Sequence, residues 1–173
     1  MPFLRGTSFN DKPARNAVIN FFKTNFEILL DETPHQLKVI DLTGKTETNL
    51  GVEIEGGGWN GCFWNNQTYC MLSGHEFKTV NIPIRKSKYW METYKRYNKE
   101  IQNPSYDKNI FVRTNKNFTQ MIVIRPETIR DVKKLVMSKF KPNNSDEVEE
   151  WMSFRREHVE TYNLINDVWV LEK

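Results

Sequence analysis

Two hydrophobic periods alternate along this chain, one of three to four residues and one of two. After Asp11-Lys12-Pro13, where proline suits a first helical turn, Val18, Phe21, Phe22, Phe26, Leu29 and Leu30 recur at helical spacing and predict an amphipathic helix ending near Asp31–Pro34. QLKVIDLTG (36–44) and LGVEIEGGG (50–58) then read as two strands that pair with one another. The tract WNGCFWNNQTYCML continues with β-favouring residues, and FKTVNIPI reads as a further strand ended by Pro83. From Arg85 to about Gln102, Tyr89, Trp90, Tyr94 and Tyr97 fall at helical spacing and predict a helix with an aromatic and a cationic face, stopped by Asn103-Pro104. NIFVRTN and FTQMIVIRP form a hairpin around Asn115-Lys116-Asn117. Pro126-Glu127 opens a helix through Val136, and a last amphipathic helix is expected from about Asp146 to Leu164. The expected fold is α+β, a central mixed β-sheet flanked by helices. It forms one domain over residues 1–173, with a core over about 12–136 and a helical extension over about 137–173.

Composition narrows the class. The length falls in the range of a single domain, and 38% apolar residues with eleven Phe, six Tyr and five Trp exceed what a disordered chain carries. The longest apolar run is far short of the roughly 20 residues that span a bilayer, and the N-terminus lacks a basic segment followed by an apolar stretch. Neither Cys62 nor Cys70 has a CxxC partner or a His at zinc spacing, so both read as reduced thiols of a cytoplasmic protein. His35, His75 and His158 are scattered, none in a nucleophilic pattern. The net charge of +3 is weak evidence of any partner, but it hides an asymmetry. Arg85, Lys86, Lys88, Lys95, Arg96 and Lys99 crowd one segment against Glu92 alone, while SDEVEEW is acidic.

The chemistry-bearing pattern is acidic. In GVEIEG the strand period of two puts Val52 and Ile54 on one face and Glu53 and Glu55 on the other. Asp41 lies near the end of the preceding strand and can approach the same spot if the two strands pair through Gly44–Asn49. Three converging carboxylates raise one another's pKa unless a divalent cation neutralises them, and Mg²⁺ or Mn²⁺ suits such a set. A cation there would polarise a phosphodiester, with Gly56, Gly57 and Gly58 letting the backbone of a nucleic acid come close. The plain alternative is that Glu-x-Glu marks one solvated face of an antiparallel sheet.

The order of these elements resembles the PD-(D/E)XK nuclease superfamily, the restriction-endonuclease-like fold, over roughly residues 12–136. In that resemblance Asp41 matches the first acidic position, Glu53 the second, and Glu55 the position usually held by Lys. The helix ending near Glu27–Glu32 lies where several members place an additional carboxylate. It implies metal ligands Asp41, Glu53 and Glu55, and a cation supplied from elsewhere, Lys78 or Lys86, to stabilise developing negative charge. FKTVNIPIRKSKYW and NIFVRTNKNFTQMIVI also look similar to small phage-type or restriction-type members.

The leading expectation is therefore a Mg²⁺- or Mn²⁺-dependent endonuclease acting on DNA. Arg85, Lys86, Lys88, Lys95 and Arg96 would neutralise phosphates, and Trp59, Trp64 and Tyr69 would stack on bases if exposed. The alternative is that Tyr89, Trp90, Tyr94 and Tyr97 pack a helix on the sheet while its lysines stay solvated. Two other classes stand beside the nuclease: a non-catalytic nucleic-acid-binding domain that ignores EDTA, and a phage-type protein-interaction module indifferent to salt. A chain this small would need a homodimer to cut both strands.

Overall fold

Every residue from Gln120 to Ile124 is buried, which a strand achieves only when both faces of its sheet are covered. The computed structural model describes residues 8–33, 40–47, 49–56, 59, 61–64, 79–131, 136–140 and 149–173, with the backbone alone for 8–11, 136–140 and 149. In chain order its elements are α1 (Ser8–Phe26), β1 (Leu30–Glu32), β2 (Leu42–Gly44), β3 (Gly51–Gly56), β4 (Thr79–Pro83), a 3-10 helix (Ile84–Trp90), β5 (Thr93–Arg96) and β6 (Lys99–Gln102). There follow β7 (Ile110–Thr114), β8 (Gln120–Ile124), α2 (Pro126–Arg130), β9 (Val136–Phe140), β10 (Glu149–Arg155), a 3-10 turn (Arg156–His158), β11 (Glu160–Ile165) and β12 (Val168–Leu171).

A seven-stranded sheet, β1-β2-β3-β7-β8-β11-β12, forms the centre. Its β3–β7 pair is parallel and its other pairs are antiparallel, so the sheet is mixed, as the sequence predicts. One face is covered by α1, whose Val18, Phe21 and Phe22 pack on Leu42, Val52, Ile110, Val112, Met121, Val123 and Tyr162. The Phe21 ring meets Phe22, Phe26, Tyr162 and Trp169 edge-on at 5.1–5.5 Å. Such aromatic pairs add about 0.5–1.5 kcal/mol each beyond the area they bury.

The other face carries a second sheet, β4-β10-β9. Val80 and Ile82 of β4 and Met152 and Phe154 of β10 meet Phe111, Ile122 and Ile124, with Trp59, Phe63, Trp64, Trp90 and Ile129 filling the layer. The flanking layers are thus one helix and one small sheet, which corrects the expectation of helices around the sheet.

Three expected elements differ. The first helix ends at Phe26, and the apolar Leu30 beyond it belongs to β1, paired with β2. The helix begun at Pro126 stops at Arg130; residues 132–135 lie outside the described set, and Val136 already belongs to β9. No α-helix occupies the described part of 146–164, where β10 and β11 run. Glu149, Glu150, Arg155 and Arg156 mimic helical charge spacing, but Met152 and Phe154, two residues apart, both enter the core. Since β11 lies between β8 and β12, this segment completes the main sheet and is not a helical extension. No helix among the described residues is long and apolar enough to cross a membrane.

The basic segment departs furthest. It is no helix through Gln102: the 3-10 helix stops at Trp90, and β5 and β6 pair as a separate hairpin with Arg96 opposite Lys99. The turn residues Tyr97 and Asn98 have φ of 51° and 64°, the left-handed pair of a tight hairpin turn. Period three in the 3-10 helix followed by period two in β5 produces aromatic spacings that imitate an α-helix.

Candidate active site

β2 and β3 pair with Leu42 opposite Val52 and Thr43 opposite Gly51. One residue further, the register brings Asp41 opposite Glu53, but the backbone ladder ends there. The Ile54 amide donates instead to Asp41 Oδ2 at 2.8 Å, so the side chain replaces a main-chain acceptor and is held against β3. Residues opposite one another in an antiparallel pair hold their Cβ atoms about 5 Å apart, and here the Asp41 carboxyl is near enough to that of Glu53 to raise it.

Glu53 is 5% exposed, because β7 runs beside β3 and the second layer closes over that face. Burial pushes its carboxyl up to about 8; Lys86 opposes the rise and the neighbouring Asp41 adds to it. Lys86 Nζ lies 3.4 Å from Glu53 Oε2. That is longer than the roughly 2.7–2.9 Å of a strong charge-assisted bond.

The 3-10 helix delivers the lysine. Its three-residue repeat puts Lys86 and Tyr89 on one side and Arg85 and Lys88 on the next, while Trp90 is buried. Burial first, then the charges of Glu53 and Asp41, raises the Tyr89 hydroxyl. Burial first, then Arg96, lowers the Lys88 ammonium, which also lies 5.3 Å from the Tyr89 ring centre. The helix is clamped to the start of β7: Asn109 Nδ2 donates to the Tyr89 carbonyl at 2.6 Å, and Trp90 Nε1 donates to the Asn109 carbonyl at 2.7 Å. Asn103 Nδ2 donates to the carbonyls of Lys88, Tyr89 and Met91, which ties the base of the β5–β6 hairpin to the same helix.

Of the residues expected from sequence, Asp41, Glu53 and Lys86 come together, with Lys88 and Arg96 beside them. Glu55 shares the Glu53 face one pleat further along, and its buried Oε2 has no hydrogen-bond partner. Among the described residues no three Asp, Glu, His or Cys side chains converge as a metal-binding group, so the described cluster holds two carboxyls, not three. Lys78, Tyr69, Cys70, His35, His75, Gly57 and Gly58 lie outside the described residues. Trp59 is 1% exposed in the core, with Arg113 5.4 Å above its ring, and Trp64 is buried as well; neither indole is at the surface to meet a base. Arg85 and Lys95 are exposed. Tyr89, Asn103 and Asn109 are not legible in the sequence as site residues, because their partners are distant in the chain; only the Asn103-Pro104 stop hints at a fixed junction.

No protein-family model, curated protein or solved structure matches this chain. What the site can do therefore rests on its own geometry. The donor set fits a hard divalent cation: two neighbouring carboxyls, one of them raised by burial, are the protein ligands Mg²⁺ commonly takes, water and substrate oxygens completing the octahedron.

Proposed function

We propose that this protein is a metal-dependent endonuclease of DNA with a restriction-endonuclease-like core. The observation that carries the reading is the convergence of Asp41, Glu53 and Lys86 from three separate elements beside a cationic surface. Asp41 and Glu53 would hold Mg²⁺ or Mn²⁺. When bound, such an ion polarises the scissile phosphate and lowers the pKa of water at the site. Lys86, the only lysine in contact with Glu53 among the described residues, stands where Glu55 cannot serve, as the cation that stabilises charge developing on the phosphate. Tyr89 lies on the same side of the 3-10 helix as Lys86, within range of the charges of both carboxyls, and Arg85, Lys88 and Arg96 would bring the phosphate backbone to them. Cutting both strands from so small a chain calls for a symmetric homodimer.

The test is cleavage of plasmid and single-stranded DNA by the wild type, Glu53→Gln and Lys86→Ala proteins with Mg²⁺, Mn²⁺ or EDTA. Metal-dependent cutting lost in both variants supports the reading. A second reading has its own observation: Lys86 already faces Glu53 as a counter-charge where an ion would otherwise be needed. Binding that survives EDTA, with no cutting under any condition, would establish a non-catalytic DNA-binding domain instead.

A further inference from the structure

The β5–β6 hairpin belongs to neither hydrophobic core. It is a two-stranded ribbon, Thr93 to Gln102, joined to the 3-10 helix at its base by Asn103. Lys95, Tyr97 and Lys99 are exposed, and Arg96 lies near enough to Lys88 and Tyr89 to perturb both. The ribbon therefore extends the cationic edge of the Asp41–Glu53–Lys86 site outward, with Glu100 as its one acidic residue.

Its tip breaks a local rule. A two-residue hairpin turn with both φ positive takes Asn-Gly or Asp-Gly, residues that tolerate the left-handed region. Here the first position is Tyr97, with φ 51°, a bulky residue in a conformation it disfavours. Tyr97 is 83% exposed, with no core to reward the strain, and the Arg96 guanidinium lies 5.3 Å from its ring centre. An aromatic kept at a strained, solvated tip between cations points to a contact made outside the chain.

We infer that the β5–β6 hairpin is the DNA-reading element of this protein, entering the major groove of a duplex with Lys95, Arg96 and Lys99 against the flanking phosphates and Tyr97 against base edges. The inference rests on the nuclease reading for its substrate and adds the form of that substrate. A two-stranded ribbon fits the major groove of B-form DNA, about 12 Å wide, whereas the deep, narrow major groove of duplex RNA excludes it.

The experiment is fluorescence anisotropy with labelled duplex DNA, its single strand and the matching duplex RNA, in EDTA so that nothing is cut, over a range of salt. Wild-type, Lys95→Ala/Arg96→Ala, Tyr97→Asn and Glu53→Gln proteins are compared, each with its thermal unfolding midpoint. The wild type should prefer duplex DNA. Lys95→Ala/Arg96→Ala should weaken binding and flatten the log–log salt slope by about 2. Tyr97→Asn should weaken binding roughly tenfold while its midpoint stays level or rises, since Asn suits the turn. Opposed effects on stability and binding are what a purely structural tip would not give. Wild-type strength in the hairpin variants, equal binding of duplex RNA, or preference for the single strand would each overturn the inference. Hairpin-dependent binding by a protein that never cuts would remove the nuclease reading and leave this one standing. Glu53-dependent cutting without hairpin-dependent binding would do the reverse.

Discussion

Asp41 and Glu53 meet across the β2–β3 pair at the point where the backbone ladder stops, and Asp41 Oδ2 takes the Ile54 amide at 2.8 Å that a carbonyl would otherwise receive. The end of a strand pair thereby becomes a carboxyl pair. Its partner cation arrives from a segment more than thirty residues further along the chain, with Lys86 Nζ 3.4 Å from Glu53 Oε2.

A pH dependence of folding follows from Glu53. Its carboxyl titrates near 8 in the folded protein and near 4.5 when unfolded, so the folded state binds the extra proton between those values. Stability is then fully present below about 4.5 and lost as pH rises through about 8. A tenfold difference in proton affinity between the two states is worth about 1.4 kcal/mol, so the fall should be on the order of a few kcal/mol. Urea denaturation of the metal-free protein at pH 5, 7 and 9 should show a falling midpoint, and Glu53→Gln should flatten the trend. A midpoint that rises with pH in the wild type, and equally in Glu53→Gln, would rule out a raised Glu53.

Asp41→Asn and Asp41→Ala should separate structure from chemistry. The amide oxygen of Asn still accepts from the Ile54 amide, so stability should stay within about 0.5 kcal/mol. Alanine leaves that part-buried donor without its acceptor and should cost about 1–3 kcal/mol. Both variants should lose DNA cutting. Equal stability of the two would show that the Asp41–Ile54 bond contributes nothing.

Replacing Lys86 removes the charge that opposes the rise at Glu53, so Lys86→Met should push the Glu53 carboxyl higher still. Carbon-detected NMR titration of that carboxyl reads this directly. Cleavage should fall by about a hundredfold or more, the scale of losing one electrostatic stabiliser of developing charge. Unchanged cleavage would move the catalytic cation elsewhere.

Metal should act on stability as well as on cutting. Mg²⁺ held by the carboxyl pair would displace its proton, so binding should tighten as pH rises towards 8. Saturating to about a hundred times Kd should stabilise the fold by about 2.7 kcal/mol, seen as a higher melting temperature that EDTA reverses. Glu53→Gln should show no such rise. A wild type whose melting temperature ignores both ions would favour the non-catalytic reading.

The clamp on the 3-10 helix is testable from a distance. A Cβ at Gly51 would lie 2.4 Å from Asn109 Oδ1 and 2.9 Å from Ile40 Cδ1, so Gly51→Ala must displace the side chain that holds the Tyr89 carbonyl. Asn109→Ala removes the same bond. Each should destabilise by about 1–3 kcal/mol, and the double variant by less than the sum, because both break one contact. Full additivity in a denaturant-unfolding cycle would show the two residues to be independent.

The sequence by itself determined the strands whose hydrophobic period is local and strong. The alternation in GVEIEG, the arms NIFVR and TQMIVI with their Asn-Lys-Asn turn, and the run ending at Pro83 are all strands where expected. It also put Glu53 and Glu55 on one face, Asp41 within reach, and Lys86 among the cations able to serve them. Only the tertiary structure decided the rest. Whether Arg85–Gln102 became a helix or a 3-10 helix and hairpin depended on Asn103, Asn109 and two left-handed residues with no Asn-Gly signal. Whether Glu149–Ile165 became a helix or two strands depended on β4 and β8, the strands that receive β10 and β11. Glu53 is buried because β7 runs parallel to β3 and the second sheet covers that face. A residue's own period says which way its side chain points, whereas what waits there is set by segments tens of residues away, which local sequence does not encode.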